Sequence, residues 1–213
     1  HTFSRVLLRP YSTKPDDDMI PEDLWIFKKM GEIGTRASGY RCASTFHDFK
    51  YHPKEVTTGA FDDWVYDHLG IYSFTIELWD LPTEAGIKDR KWIEWWRDHP
   101  HSEDVQILKW IDEHGEPGSY VEWQGYDHPQ LGKLELGGWN DIHTWRNPPV
   151  THVESEASRH FPFILSLGDM LPWLTLYTAK VEPLGNDDYR LIVVVENNGF
   201  LPSFTSEQAK KRQ

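Results

Sequence analysis

The stretch Gly59-Ala-Phe-Asp-Asp-Trp-Val-Tyr-Asp-His-Leu-Gly70, continued by Ile71-Tyr-Ser-Phe-Thr-Ile-Glu77, decides the fold that we predict for this chain. Its first half places apolar residues at the spacing of one helical face: Phe61, Trp64, Val65 and Leu69. Gly70 suits the position just after a helix end. The run Ile71–Ile76 is rich in β-branched and aromatic residues and predicts a buried strand. A short amphipathic helix therefore leads into a strand that ends on Glu77.

Glu77 is the chemically important residue of this stretch. A carboxylate in apolar surroundings costs free energy unless it is paired or bound, and burial raises its pKa. Such a group can serve as a general base at the mouth of a sheet. The other interpretation is an ordinary carboxylate at the edge of the core, paired with an arginine.

Two segments resemble zinc carboxypeptidases of the carboxypeptidase A/B kind, bacterial type. Asp63-Trp64, Tyr66 and Ser73-Phe-Thr-Ile-Glu-Leu78 resemble the catalytic segment whose Glu is the general base in that family. His1-Thr-Phe-Ser-Arg-Val-Leu-Leu-Arg-Pro-Tyr-Ser12 resembles the segment that carries the third zinc ligand. His1 and Glu77 are 76 positions apart, close to the separation in that family.

The resemblance implies a zinc-dependent exopeptidase that removes C-terminal residues from peptide substrates. His1 would be a zinc ligand and Glu77 the general base. The family holds Zn²⁺ with a His and a Glu of an upstream His-x-x-Glu motif together with the later His. We therefore expect these residues to be the C-terminal part of a longer catalytic domain, inactive alone because one imidazole cannot hold catalytic zinc.

His52-Pro-Lys-Glu55 satisfies His-x-x-Glu by its letters, but we interpret it as a chance match. It follows His1 where the family's motif precedes the third ligand, and Pro53 interrupts a regular element. Position 55 is also where the family carries a mobile Tyr that covers the substrate. Tyr51 could fill that role, Glu55 could replace it and alter the pocket, or the enzyme could work without such a cap.

Two further positions bear on substrate binding. Phe3 stands where related enzymes often have a Tyr, which keeps a stacking surface and removes a hydrogen-bond donor. Asp62 stands at the position that lies at the base of the family's specificity pocket. A carboxylate there would favour a C-terminal Lys or Arg. Alternatively, Asp62 is a solvated residue at a helix N-terminus, where a negative charge is favourable.

Composition limits the remaining functions. The formal net charge of −12 and the absence of a basic stripe argue against a nucleic-acid partner. The sequence has 11 Trp, 9 Tyr and 10 Phe, which suit a core and a groove lining and also suit sugar binding. The alternative function is therefore a non-catalytic peptide- or glycan-binding protein on the same fold.

Three features of the sequence bear on the location and covalent structure of the protein. Cys42 is the single cysteine, so an internal disulfide is impossible. No apolar run approaches the length of a membrane span. The family resemblance favours a periplasmic or secreted location, and the oligomeric state is left open.

We predict an α/β fold in three parts. They are a mixed-sheet, carboxypeptidase-like part at 1–115, a loop-rich rim or linker at 116–160, and a small β-sandwich-like domain at 161–213. The finer predictions are a helix from the cap Asp23 to Gly39, an extended stretch Thr45–Tyr51, helices over 88–97 and 102–115, and strands over 173–181 and 189–196.

Overall fold

The computed structural model describes residues 4–212, apart from the side chain of Trp92. The described helices are α1 (Pro21–Ser38), α2 (Thr45–Asp48), α3 (Phe61–Trp64), α4 (Leu81–Glu84), α5 (Trp92–Arg97), α6 (His101–His114), α7 (Asp141–Thr144), α8 (Val150–Ser158), α9 (Phe161–Asp169) and α10 (Glu207–Lys210). The described strands are β1 (Val6–Arg9), β2 (Arg41–Ser44), β3 (Thr75–Glu77), β4 (Tyr120–His128), β5 (Gly132–Trp139), β6 (Leu174–Gly185) and β7 (Asp188–Asn197). A 3₁₀ turn covers Asp16–Asp18 and a π turn covers Val65–Leu69.

The strands form three small sheets. One has the order β2-β1-β3, and the other two are the antiparallel hairpins β4-β5 and β6-β7. The mixed α/β class is thereby confirmed. The expected β-sandwich is not confirmed, because β6 and β7 pair only with each other in the described sheets. No described helix is long and apolar enough to cross a membrane.

Spatial contacts divide the described chain into two compact units. The first unit contains residues 4–7 and 76–160, and the second contains residues 8–75 and 161–212. The chain passes from one unit to the other within β1, within β3 and between α8 and α9. The domain boundaries expected after residues 115 and 160 stay a prediction, since compact units of this kind need not be separate domains.

The core of the second unit is built on α1. Pro21 occupies the first turn, where its missing N–H costs nothing, and Gly39 ends the helix with φ 76°. The ring of Phe27 packs edge-on against Tyr66, Tyr72 and Phe74, with ring centroids 4.9 to 5.6 Å apart. A second cluster joins Met30 to Met170 and Leu201. The apolar face expected for this helix is therefore the one that it buries.

Asp23 is the polar centre of the same unit. It lies within α1, is 1% exposed, and accepts hydrogen bonds from the hydroxyls of Tyr66 and Tyr72, each at 2.7 Å. The backbone N–H groups of Glu207 and Gln208 donate to its two oxygens at 2.9 Å. The prediction that Asp23 caps the helix is wrong, because the residue preceding the first turn is Ile20. Its carboxylate instead accepts hydrogen bonds from the first turn of α10.

The core of the first unit is rich in tryptophan. Trp79, Trp95 and Trp145 are buried, and partly buried Trp110 and Trp139 pack against them. The remaining buried members of this cluster are Leu81, Ala85, Ile87, Ile107 and Ile111. Helix α4 contributes Leu81, and helix α6 contributes Ile107 and Ile111. Part of the aromatic content noted in the sequence therefore lies in this core.

The helical face predicted for residues 61–69 is wrong in part. Val65 is buried, but Phe61 is 72% exposed, and Trp64 and Leu69 are about half exposed. The α-helical turn becomes a π turn at Val65, so the 3.6-residue period does not continue. Asp62 and Tyr66 turn inward instead. Gly70 ends the turn with φ 66°, as expected, and a Cβ there would lie 2.4 Å from the backbone of Ala209.

Three other local predictions are also wrong. The buried strand expected over residues 71–76 is instead Thr75–Glu77, which is partly buried, and Ile71 is 47% exposed. Thr45–Asp48 is helical rather than extended, because the Ser44 side chain accepts from the N–H of His47 and begins a turn. Residues 120–139, expected to be loop, form the β4-β5 hairpin. Most residues of both strands are exposed, and the Gly residues of this stretch are the reason for the loop prediction.

Two buried tyrosines and one partly buried tyrosine give the fold a distinctive alkaline titration. Burial, followed by the hydrogen bonds to Asp67 and Asp23, raises the pKa of Tyr11, Tyr66 and Tyr72 above the ordinary tyrosine value. Unfolded chains release these protons near pH 10, whereas the folded protein retains them. The free energy of unfolding should therefore be unaffected below pH 10 and fall above it, by up to about 1.4 kcal/mol per pH unit for each tyrosine.

The tyrosinate absorbance of the native protein checks this prediction. Among the nine tyrosines, these three should ionise last and only as circular dichroism reports unfolding. Tyr66→Phe should remove one tyrosine from the late phase. Ionisation of all the tyrosines near pH 10 in a protein that is still folded would contradict the prediction.

Candidate active site

Glu77 is the last residue of β3 and is half-buried. The chain turns sharply two residues later, where Trp79 adopts φ 69°, a left-handed conformation that is uncommon for a bulky residue. The Trp79 backbone N–H donates to Oε1 of Glu156 at 3.3 Å, and its indole N–H donates to the carbonyl of Thr144 at 2.9 Å. These contacts hold the backbone immediately after the predicted general base.

Glu156 belongs to a buried charge cluster in the first unit. It is 3% exposed and accepts from Arg5 at 2.9 Å, and Arg159 lies 3.4 Å away. Arg5 also pairs with Glu84. Burial alone would lower the pKa of the Arg5 guanidinium, but Glu156 and Glu84 outweigh it and raise that pKa above the ordinary value. Arg5 therefore stays protonated beside Glu156, which supplies the acceptor for the Trp79 N–H.

Asp62 and Asp63 lie side by side on α3 and have different surroundings. Both oxygens of Asp63 accept from the Ser12 N–H at 3.0 Å, and one accepts from the Ser12 hydroxyl at 2.6 Å. Asp62 is 4% exposed, and its backbone carbonyl accepts from the Ser73 hydroxyl at 2.9 Å. Asp63 therefore fixes the chain after β1. The side chain of Asp62 is buried, unlike that of a solvated helix terminus.

The other predicted substrate residues lie on an exposed segment of the second unit. Tyr51 is about half exposed and its ring lies 6.2 Å from that of Phe49. Glu55 is exposed and closes a turn in which its N–H donates to the carbonyl of His52 at 3.0 Å. His1 and Phe3 lie outside the described residues. The roles of Glu77, His1, Asp62, Glu55, Tyr51 and Phe3 all stay predictions.

Within residues 4–212, no group of three or more His, Cys, Asp or Glu side chains is placed to hold a metal ion. The described residues therefore do not form a zinc site by themselves. The interpretation of His52 and Glu55 as a chance match stays a prediction.

The residues that brace Glu77 lie far along the chain and could not be recognised from the sequence. Glu156 lies 77 positions beyond Trp79, and Thr144 lies 65 positions beyond it. Helix α8, which carries Glu156, has an unremarkable pattern of exposed polar residues around one buried acid. The only available signal was Arg5, a charged residue directly before the apolar run of β1.

Comparison with known families bears on the part of the chain that carries these residues. A family model described as zinc carboxypeptidase matches residues 1–96, which include His1, Asp62 and Glu77. Residues 1–96 are therefore similar to a segment of zinc carboxypeptidases. The recognition made from the sequence is thus confirmed for this segment, and it supports a hydrolytic, zinc carboxypeptidase-like function in general.

A second family model matches the end of the chain. It is described as a domain of unknown function (DUF8731) and covers residues 173–213, which span β6, β7 and α10. No curated protein matches the chain. The zinc carboxypeptidase segment is thus accompanied by a C-terminal segment whose family has no assigned role.

Replacing Glu156 tests the brace behind Glu77. Glu156→Gln removes the charge that pairs with Arg5 and weakens the acceptor of the Trp79 N–H, so the free energy of unfolding should fall by about 2 kcal/mol. Urea denaturation measures the change. Glu154→Gln on the exposed side of α8 is the matched control and should change stability by less than about 0.5 kcal/mol. Equal stability of the two variants would show that the Glu156 contacts do not brace the turn.

Proposed function

We propose that this protein is a zinc-dependent exopeptidase that removes C-terminal residues from peptides, with Glu77 as general base and His1 as a zinc ligand. The observation that supports it best is the position of Glu77. It is half-buried at the end of β3, inside the matched segment, and the chain is braced directly behind it.

Glu77 would act as a proton carrier. Its carboxylate takes a proton from the attacking water as the water oxygen bonds to the scissile carbonyl carbon. It then returns the proton to the leaving amine as the C–N bond breaks. A half-buried carboxylate on a strand end suits this work because its position is set by the strand rather than by a flexible loop.

Zinc would polarise the water and the carbonyl when bound. His1 would supply one imidazole, and the described residues supply no set of ligands to complete the site. The proposal therefore requires ligands beyond those in residues 4–212, and we expect no turnover from these residues alone.

Asp62 is proposed to select the substrate. A carboxylate removed from solvent pairs most strongly with a cation that enters the same site, so its 4% exposure supports a preference for C-terminal Lys or Arg. Tyr51, Glu55 and Phe3 are proposed to contact other parts of the bound substrate. An exported location also stays a proposal, since it rests on the family resemblance.

The second candidate is a non-catalytic peptide- or glycan-binding protein. The observation that favours it is a 430 Å³ pocket on the β4-β5 hairpin, lined by Tyr126 and Trp139 together with Gln124 and Asn140. Aromatic faces beside amide groups suit a sugar or a peptide backbone.

A Glu77→Gln variant of the protein with its complete zinc site separates the two candidates. The variant should lose at least about 10³-fold in kcat and still bind zinc, because only the proton carrier is removed. Turnover is measured with N-blocked dipeptides ending in Lys, Phe and Glu, and zinc by elemental analysis. The Lys substrate should be preferred by the wild-type protein.

Glu94 is an exposed glutamate on α5 that pairs with Lys91, so Glu94→Gln is the matched control and should keep full activity. Undiminished turnover in Glu77→Gln would remove Glu77 from the mechanism. A wild-type protein that holds zinc and binds these peptides without cleaving them would favour the binding function.

A further inference from the structure

The β6-β7 hairpin, here called the ribbon (residues 174–197), separates its side chains into two unlike faces. Residues that pair directly across an antiparallel ladder lie on the same face, so the register assigns each side chain. One face consists of apolar side chains apart from Asn197 at its end, and we call it the apolar face: Leu174, Leu176, Ala179, Val181, Pro183, Tyr189, Leu191, Val193 and Val195. Every one of these nine residues is exposed.

The opposite face has a different composition. It carries charged and hydroxyl side chains around Ile192 and Val194: Thr175, Thr178, Lys180, Glu182, Arg190 and Glu196. Lys180 donates to Glu182 at 2.9 Å, and Arg190 lies 4.0 Å from the same carboxylate. The ribbon is therefore amphipathic, with a period of two that is interrupted by the register shifts at Tyr177 and Leu184. Such a pattern is typical of a sheet that has one face covered.

The apolar face is too large to be an ordinary monomer surface. Leu176, Val181 and Leu191 are each more than 60% exposed. Summed over the nine side chains, the face offers on the order of 700 Å², above the roughly 300–600 Å² of the largest patch on a typical monomer. A two-stranded ribbon is also only marginally stable in water without a covering layer.

We propose that the apolar face is a self-association surface, covered by the same face of a second copy of this chain. A two-fold axis through the contact would place ribbon against ribbon and form a two-layer, four-stranded β-sandwich. The sandwich expected from the sequence would then be completed between two molecules rather than within one.

Area and charge both favour a second copy. A standard protein–protein interface takes about 800 Å² from each partner, close to what the apolar face offers. Two copies that each carry a net charge of −12 repel, so a contact surface with no charge of its own is favoured. The apolar face has no charged side chain among its members.

A lipid surface fits these observations less well. Ribbons and helices that lie on anionic membranes carry an excess of Lys and Arg beside their apolar face. The opposite face of the ribbon has Lys180 and Arg190 against Glu182 and Glu196, and the chain as a whole is acidic. The ribbon therefore lacks the excess of positive charge that would attract it to an anionic bilayer.

The anchoring of the segment after the ribbon supports an association role. Asn197 donates to the carbonyl of Leu201, which is itself buried. The Ser206 hydroxyl donates to the carbonyl of Gly70, and Gln208 donates to the carbonyl of Asp67 at 3.0 Å. The part of the DUF8731 segment that follows the ribbon is thus hydrogen-bonded to other parts of the second unit. The apolar face of the ribbon itself is exposed.

Sedimentation of the full protein over a roughly 100-fold concentration range tests the proposal. The wild-type protein should be dimeric. The double variant Val181→Lys/Leu191→Lys, a cross-strand pair in the middle of the apolar face, should raise the dissociation constant more than about 100-fold. Thr178→Lys/Val194→Lys, a cross-strand pair on the opposite face, is the matched control and should remain dimeric.

A charge-complementation experiment keeps the test independent of folding defects. Val181→Glu/Leu191→Glu should be monomeric alone and should form a mixed dimer with the Lys variant. A monomeric wild-type protein, or a dimer unaffected by the Lys variant, would overturn the proposal. Binding of a monomeric wild-type protein to vesicles of equal parts phosphatidylcholine and phosphatidylserine would also overturn it, in favour of a lipid surface.

Discussion

The second unit depends on one buried carboxylate, that of Asp23. A charged group so removed from solvent must be matched by donors, and Asp23 receives four of them from three distant parts of the chain. Tyr66 comes from the π turn, Tyr72 from the approach to β3, and the N–H groups of Glu207 and Gln208 from α10. The zinc carboxypeptidase segment and the DUF8731 segment are therefore joined at this point within one unit.

A buried carboxylate also accepts a hydrogen bond from the residue that follows Glu77 by two positions. Asp23 holds Tyr72, five residues before Glu77, and Glu156 holds Trp79, two residues after it. In each unit a buried acid satisfies donors that would otherwise lose hydrogen bonds on folding. Within the first unit, the proposed general base thus lies directly before a stretch of backbone that is fixed, which is what proton transfer at a defined position requires.

Features with a local cause could be predicted from the sequence. The apolar period of α1, the left-handed Gly39 and Gly70, and the β6-β7 hairpin follow from neighbouring residues alone. The π turn at Val65, the exposed β4-β5 hairpin and the role of Asp23 could not be predicted. They depend on partners far along the chain: Asp23 looked like a helix cap because Glu207 and Gln208 are more than 180 positions away. The segment that carries Glu77 was recognisable because its motif is local, whereas the residues that brace it lie far along the chain.

Replacing Asp23 tests most directly the claim that one carboxylate joins these segments. Asp23→Asn leaves a single acceptor oxygen and places an NH₂ group against the hydroxyl and N–H donors that Asp23 accepts from. The free energy of unfolding should therefore fall by about 3 kcal/mol. The amides of Glu207 and Gln208 should lose hydrogen-exchange protection in the native protein, and the exposed Asp17→Asn should change neither quantity. Unchanged stability and protection in Asp23→Asn would contradict the account.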